Sequence, residues 1–208
     1  MSPTTVVLEH EVLSVLGDHG VPVPRFEVVR SPEEAEDVGL EPPFVAKLLH
    51  PEVPHRARAG ALRTCVPDER ALAGYVRELL DRWPDAVGVM VQERVETAAG
   101  VEAFLGMKED ETFGTVVLLG VGGRLVEELG SFTVRKPPLD GSEVEEALGN
   151  DVPAGDVILR EVKASEVADV VNSAYEAYES EGWVELDVNP LFVSDGSIVA
   201  LDGLARKG

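Results

Sequence analysis

The chain has 208 residues, and it contains one cysteine, few aromatic residues and no long hydrophobic run. The lone Cys65 excludes an intramolecular disulfide, and its apolar neighbours predict a small core residue rather than a catalytic thiol. Hydrophobic residues make up 44% of the chain, but they are too dispersed for a membrane span of about 20 apolar residues. Because no basic segment followed by an apolar stretch stands at the N-terminus, we expect a cytoplasmic protein.

Basic residues are also scarce, since 18 lysines and arginines stand against 39 acidic residues and give a net charge of −21. This balance argues against a nucleic-acid partner, because such binding depends on Lys and Arg that neutralise phosphates. The acidic residues are spread along the whole chain and hydrophobic residues are not depleted, so we do not expect a disordered protein. A surface that repels itself is tolerated in concentrated salt, and we interpret the chain as a protein of a halophile's cytoplasm.

The C-terminal segment alternates apolar residues with residues that carry oxygen ligands. Since side chains alternate along a strand, Glu185, Asp187 and Asn189 are predicted to share one face while the residues between them pack inward. Asp195-Gly196 predicts a two-residue hairpin turn. Counting outward from that turn places Asn189 opposite Asp202, and this pair of oxygen ligands suits Mg²⁺. A polar-out hairpin without a ligand fits the same pattern.

A lysine and a basic segment stand out in the first half of the chain. Lys47 lies in an apolar run that predicts a buried strand, so its ammonium group must either reach water or meet an anion. His50, His55, Arg56 and Arg58 follow it closely in an otherwise acidic protein. This crowding of cationic groups predicts that the segment binds an anion such as a polyphosphate. Neutralisation of the arginines by nearby acidic side chains explains the pattern equally well.

Two glutamates occupy the strands that follow. Glu93 ends one predicted strand and Glu102 lies within the next. Each is compatible with a contact to ribose, a lysine or a metal, and each is also compatible with a solvated strand residue.

The alternation of helical and strand patterns predicts an α/β or α+β protein with two lobes. The boundary is expected at residues 84–86, where a helix gives way to a run of strands, so that the lobes comprise residues 1–85 and 86–208. A ligand is expected between the lobes. Gly120–Gly123 is predicted to form a tight glycine turn.

Placed in chain order, these segments resemble the ATP-grasp fold, and more closely the ATP-binding β subunit of ADP-forming acetyl-CoA (acyl-CoA) synthetases, relatives of succinyl-CoA synthetase. The segments that carry the resemblance are Val21–Pro24, Val45–Leu49, Pro51, His55-Arg56, Val91–Glu93, Val101-Glu102, Leu105-Gly106, Phe113-Gly114, Gly120–Gly123, Glu185–Val193 and Ala200–Asp202. The lysine strand, the glycine turn and the Glu-Leu-Asp-Val-Asn-Pro-Leu run are specific in combination.

The resemblance implies two lobes that clasp ATP, and it assigns roles to several residues. Lys47 matches a lysine on the ATP phosphates. Glu93, with the backbone after it, matches the hinge on the adenine side, and Glu102 matches a second acid that contacts the nucleotide. Asn189 and Asp202 fall on the family's Mg²⁺ ligands.

The resemblance also implies a phosphoryl relay. His55 matches a histidine that passes a phosphoryl group between the partner subunit and ADP, and Arg56 and Gly60 belong to the loop that approaches phosphate. Where the family usually continues with a lysine, a serine, an aspartate and a pair of glycines, this chain has Arg56–Ala61. The family's Ser-Phe-Arg run appears as Ser131–Thr133, with Arg135 displaced. These differences from the family pattern affect the predicted phosphoryl relay more than the predicted nucleotide binding.

The implied reaction converts acyl-CoA, ADP and phosphate into a free acid, CoA and ATP, reversibly. The sites for CoA and the acid would lie on a separate CoA-binding α subunit, so we expect a hetero-oligomer with no nucleic-acid or membrane partner. Two alternatives remain from the residues alone. One is a carboxylate ligase that works through an acyl-phosphate without phosphohistidine, and the other is a nucleotide-binding regulatory subunit without catalytic activity.

Overall fold

The computed structural model describes residues 4–53, 56–123 and 131–208. The helices in these ranges are α1 (Glu9–Asp18), α2 (Pro32–Glu36), α3 (Arg56–Ala59), α4 (Glu69–Arg82), α5 (Gly141–Glu146), α6 (Asp156–Glu161) and α7 (Ala164–Glu181), with a π-helical turn at Ala147–Asp151. The strands are β1 (Thr5–Val7), β2 (Phe26–Val29), β3 (Phe44–Leu49), β4 (Leu62–Val66), β5 (Gly88–Glu93), β6 (Val101–Asp110), β7 (Gly114–Val121), β8 (Phe132–Arg135), β9 (Trp183–Ser194), β10 (Ser197–Ala200) and β11 (Gly203–Lys207).

Local sequence signals explain where the longer helices begin and end. Helix α4 begins after Asp68, whose carboxylate accepts a hydrogen bond from the backbone N–H of Ala71 at 2.7 Å. Helix α7 ends at Gly182, which adopts a left-handed conformation with φ of +62°. Both helices bury an apolar stripe, and these stripes anchor them in the two cores.

The described residues form two compact units. Residues Pro24 to Glu96 form the first unit, in which the antiparallel sheet β2-β5-β3-β4 packs one face against α4. The strand residues on that packed face are Phe44, Ala46, Leu48, Val89 and Val91. The second unit combines the described residues up to Val23 with those from Thr97 onward. Its antiparallel sheet has the order β1-β11-β9-β6-β7-β8, with β10 paired to β9, and α7 packs against β6 and β9.

This division differs from the predicted lobes of residues 1–85 and 86–208. Strand β5 pairs with both β2 and β3, so the residues after position 85 complete the sheet of the first unit. Strand β1 pairs with β11, so the beginning of the chain joins the sheet of the second unit. The change from helix to strands near residue 85 therefore lies inside the first unit.

Two expectations from composition can be compared with the structure. No helix within the described ranges is both long and apolar enough to cross a membrane. The prediction that Cys65 is a core residue is wrong, because Cys65 is exposed on β4. A guanidinium N–H of Arg94 donates to its sulfur at 3.6 Å.

Candidate functional site

The hairpin of β9 and β10 has the predicted turn. Ser194 faces Ser197 at the end of the ladder, and Leu191 faces Ala200 at its other end. Asp195 and Gly196 form the turn with φ of +48° and +78°, the backbone conformation that a tight hairpin of this type requires. The predicted turn and pairing are therefore confirmed.

The same register continues from β10 into β11. Gly203 of β11 faces Val188 of β9, and between the two ladders the N–H of Leu201 donates to the carbonyl oxygen of Pro190 at 3.0 Å. Asn189 and Asp202 lie between the last pair of the first ladder and the first pair of the second. The continuous register therefore places these two residues opposite each other, as predicted. The register thus places an amide residue and a carboxylate residue opposite each other at the junction of β10 and β11.

Asp187 is a third residue with an oxygen-bearing side chain, and it lies close enough to Asp202 to be affected by its charge. It is partly buried, and among the described residues its Oδ1 atom is buried without a hydrogen-bond partner. Burial, followed by the charges of Asp202 and Glu185, raises the pKa of Asp187 to about 6. A carboxylate in this position is costly as an anion unless a cation neutralises it. The sequence pattern predicted the face on which Asp187 lies, but it did not single out Asp187 as a candidate metal ligand.

The residues around Asn189 fit a magnesium ion. Within the described ranges no group of three or more His, Cys, Asp or Glu side chains is arranged as a complete metal cage. Mg²⁺ does not need such a cage, because it usually takes one or two carboxylates and completes its shell with waters and substrate phosphates. The two carboxylates of Asp187 and Asp202 and the amide of Asn189 match that requirement, and among the described residues the buried Oδ1 of Asp187 has no hydrogen-bond partner.

Lys47 lies in the first unit, in the middle of its sheet. It pairs with Leu62 of β4 and Met90 of β5, and only 6% of its surface is exposed. The prediction that a strand buries this lysine is confirmed. A buried ammonium group with an apolar residue paired to it on either side is a suitable contact for an anionic ligand.

Glu93 ends β5 on the opposite face of the sheet from Lys47. It pairs with Phe44, whose side chain is in the core, and its carboxylate accepts a hydrogen bond from Arg25 at 2.8 Å. Arg25 also donates to the carbonyl oxygen of Gly39 at 3.0 Å, which fixes the guanidinium group. The Glu93 side chain is therefore engaged inside the first unit, and a contact to a nucleotide would come from the backbone that follows it.

Glu102 lies on β6 beside two glycines of the predicted glycine turn. The carbonyl oxygen of Glu102 accepts a hydrogen bond from Gly122 at 2.6 Å, and a Cβ atom at Gly123 would lie 2.7 Å from its Oε2 atom. Gly123 also has φ of +73°, so a larger residue would be strained there. The prediction that the turn includes Gly120 is wrong, because Gly120 belongs to β7 and lies directly against the backbone of Ser131.

The structure describes part of the predicted relay segment. His55 lies outside the described residues. The segment after it was expected to be a loop, but Arg56–Ala59 forms the single turn of α3, and the N–H of Ala61 donates to the carbonyl oxygen of Arg56 at 2.8 Å. Gly60 ends this turn with φ of +72°, and its carbonyl oxygen accepts a hydrogen bond from the Tyr75 hydroxyl at 3.0 Å. Gly60 therefore has a defined structural role as the helix C-terminus.

His50 precedes this segment and is firmly placed. Its Nδ1 atom accepts a hydrogen bond from the N–H of Glu52 at 3.0 Å, and its Nε2 atom lies 3.3 Å from a carboxylate oxygen of Asp85. Only 6% of the side chain is exposed. Both nitrogens are engaged, so His50 connects the turn after β3 to the turn after α4.

The comparison with known families decides the membership of the chain. The profile of the ATP-grasp domain matches residues 2–206. The chain belongs to the ATP-grasp family. The ADP-forming acetate–CoA ligase II of Archaeoglobus fulgidus is 31% identical over 207 residues, which cover 94% of this chain and 29% of that protein. The β subunit of ADP-forming acetate–CoA ligase I of Pyrococcus furiosus is 29% identical over 211 residues, which cover 94% of this chain and 89% of that subunit.

Solved ATP-grasp structures have the same fold. Acetyl-coenzyme A synthetase 1 of Ca. Korarchaeum cryptofilum, in complex with coenzyme A and Ca-AMPCP, matches with a TM-score of 0.87 at 26% identity, covering 98% of this chain and 94% of that chain. Another form of that synthetase, with Mg-AMPPCP and its phosphohistidine segment pointing towards the nucleotide binding site, matches with a TM-score of 0.81 at 25% identity, covering 98% and 93%.

These findings confirm the predicted ATP-grasp fold and the predicted family. The homologues of this ATP-grasp chain are ADP-forming acid–CoA ligases, including β subunits of acetate–CoA and succinate–CoA ligases. Some are separate subunits, and in others the matching region is less than a third of a longer chain. A carboxylate ligase of another type and a regulatory subunit are not favoured.

Proposed function

We propose that this chain is the ATP-grasp subunit of an ADP-forming acyl-CoA synthetase, in which acyl-CoA, ADP and phosphate are converted into a free acid, CoA and ATP. The observation that carries the proposal is the set of oxygen ligands at Asp187, Asn189 and Asp202, placed on the terminal hairpin of an ATP-grasp chain. The similarity to a synthetase β subunit over 94% of the chain supports it. The sites for CoA and the acid belong to a CoA-binding α part, so the active form is a hetero-oligomer or a fused chain.

Different residues of the described ranges are proposed to bind the metal ion, the phosphates and the rest of the nucleotide. Asp187, Asn189 and Asp202 would hold Mg²⁺, which when bound neutralises charge on the nucleotide phosphates. Lys47 of the first unit is proposed as a cationic contact for nucleotide phosphates, since its ammonium group lies in a buried strand. Glu102 and the backbone after Glu93 contact the rest of the nucleotide. ATP and ADP would bind in turn at this site, and the same three hairpin residues would hold the metal ion for both nucleotides.

His55 is proposed to carry the phosphoryl group between the α part and ADP. A neutral imidazole nitrogen attacks the phosphorus of a phosphoryl donor on the partner, the bond to that donor breaks, and the phosphoryl group is later passed to the terminal oxygen of ADP. The phosphohistidine segment named for the Korarchaeum synthetase supports this proposal. Arg56 follows His55 directly, and its charge favours a phosphorylated neighbour.

ATP formation tests the proposed function. We expect the chain, mixed with its CoA-binding partner, to form ATP from acetyl-CoA, ADP, phosphate and Mg²⁺ and to release one CoA for each ATP. Neither protein alone should form ATP, which gives the control. If the chain instead consumes ATP with an acid and an amine, without any dependence on CoA, then it is a carboxylate ligase of another type.

The acidic surface is proposed to adapt the protein to a salt-rich cytoplasm. With a net charge of −21, self-repulsion should destabilise the fold in dilute buffer, where the Debye length is ~30 Å at 0.01 M. We expect the melting temperature to rise steeply as KCl increases into the molar range. Sucrose at matched osmolarity provides the control for general solute effects. A melting temperature that is flat from dilute buffer to molar KCl would remove the argument for a halophile.

A further inference from the structure

Asp202 lies in the two-residue break between β10 and β11, outside both strand ladders. On one side of the break, the N–H of Ala200 donates to the carbonyl oxygen of Pro22 at 2.8 Å. On the other side, Gly203 begins β11 and pairs with the fully buried Val188 of β9. The position of Asp202 therefore depends on the contacts that its neighbours along the chain make.

Gly203 lies directly against helix α1, which belongs to the same compact unit. A Cβ atom at Gly203 would stand 2.9 Å from Cγ1 of Val12 and 3.6 Å from Cδ2 of Leu13. The backbone of Gly203 is not in the left-handed conformation, so conformational freedom does not explain the glycine. The close approach of β11 to α1 explains it instead.

Val12 cannot easily yield at this contact. Its side chain is fully buried, as are those of Leu13 and Leu16 on the same helix. A valine in a helix has one strongly preferred χ1 rotamer, so it does not rotate away at low cost. Carbon atoms pack at about 3.5 Å or more, so a methyl group at Gly203 would force the 2.9 Å separation to grow by about 0.6 Å. Strand β11 and α1 would have to move apart.

We infer that Gly203 is a positioning residue for the metal ion, because its contact with Val12 sets where the carboxylate of Asp202 lies. This inference rests on the proposed function, which assigns Asp202 to Mg²⁺. A shift of about 0.6 Å beside a ligand exceeds the roughly 0.2 Å by which metal–ligand distances vary. Changes in residues that orient a ligand weaken metal binding by about 10- to 100-fold.

The test is a calorimetric titration of ATP into the full chain, once with Mg²⁺ and once with EDTA. The ratio of the two affinities measures what the metal contributes, and a purely structural role of Gly203 would leave this ratio unchanged. We expect Gly203→Ala to lower the ratio about tenfold. Val12→Ala leaves a cavity, so it should lower the melting temperature, but it displaces no strand and should keep the wild-type ratio.

The double variant Val12→Ala/Gly203→Ala tests the contact itself. The new methyl group at position 203 occupies space that the shortened side chain at position 12 has left, so the ratio should return to within about twofold of the wild type. If Gly203→Ala does not fold, Val12→Ile adds a methylene group at the same contact and should lower the ratio in its place.

Two results would overturn the inference and leave the proposed function intact. One is an unchanged ratio in Gly203→Ala, or in Val12→Ile where that variant replaces it. The other is a ratio that stays lowered in the double variant. A wild-type chain that binds ATP equally well with Mg²⁺ and with EDTA would instead contradict the metal site on which the proposed function depends.

Discussion

The His55→Ala variant, in complex with its CoA-binding partner, is expected to form no ATP and to take up no label from γ-labelled ATP. Phosphoryl transfer to histidine leaves a covalent intermediate on the protein, and alanine provides no nucleophile to form it. With wild-type chain, the partner and Mg²⁺ present, the label should be stable in base and labile in acid, as expected for a phosphorus–nitrogen bond.

His50→Ala is the matched control for this experiment. His50 is the other histidine of the segment, but its two nitrogens are engaged with Glu52 and Asp85, and the side chain is nearly buried. Its loss should cost about 1 kcal/mol of folding stability and leave the label in place. Normal turnover by the His55→Ala complex would contradict phosphoryl transfer through His55 and favour direct formation of an acyl-phosphate.

Asp187→Asn is expected to change stability and nucleotide binding in opposite directions. The unliganded protein keeps a partly buried carboxylate beside Asp202, and the amide removes that charge. After allowance for solvent screening, the variant should be more stable at pH 8 by about 2 kcal/mol, or roughly 5 °C in melting temperature. Binding of Mg-ATP should weaken at the same time, because an anionic metal ligand is lost. Asp169→Asn, on the exposed face of α7, is the control and should change neither quantity.

The pH dependence of this stability difference has a defined sign. The pKa of Asp187 is raised to about 6 in the folded protein from 3.8, so the folded state binds the proton more tightly than the unfolded state. The carboxylate therefore destabilises the fold fully above pH 6, and the penalty disappears as the pH falls towards 4. The gap between the melting temperatures of the variant and the wild type should close over the same range. A gap that is equal at pH 4 and pH 8 would show that the charge of Asp187 is not its cause.

The hairpin could be predicted from sequence because its signals are local. The turn residues Asp195 and Gly196 fix the loop, and alternation along β9 as far as Val188 fixes which of its side chains share a face. Once both are set, the register that opposes Asn189 to Asp202 follows by counting. The burial of Asp187 could not be predicted in this way, because β6, which pairs with it at Gly106, comes from a distant part of the sequence.

The division into units could not be predicted, because it depends on pairings between distant parts of the chain. Strand β1 pairs with β11 at the far end of the sequence, and β5 pairs with β2 after two intervening strands and three helices. The contact of Arg25 with Glu93 spans 68 positions and has no local signal. The role of Gly120 was predicted wrongly for the same reason. A side chain at Gly120 would collide with the backbone of Ser131 and Phe132, so the glycine is required by strand packing and not by a turn.

The central claim is that the terminal hairpin holds the metal of the bound nucleotide, and calorimetric titration of Mg-ATP into wild-type chain and Asp202→Ala tests it most directly. Asp169→Ala serves as the control for loss of an exposed acid. The account predicts that Asp202→Ala binds Mg-ATP at least tenfold more weakly, on the order of 1.4 kcal/mol, while Asp169→Ala binds as the wild type does. An unchanged affinity in Asp202→Ala would contradict the account and place the metal elsewhere.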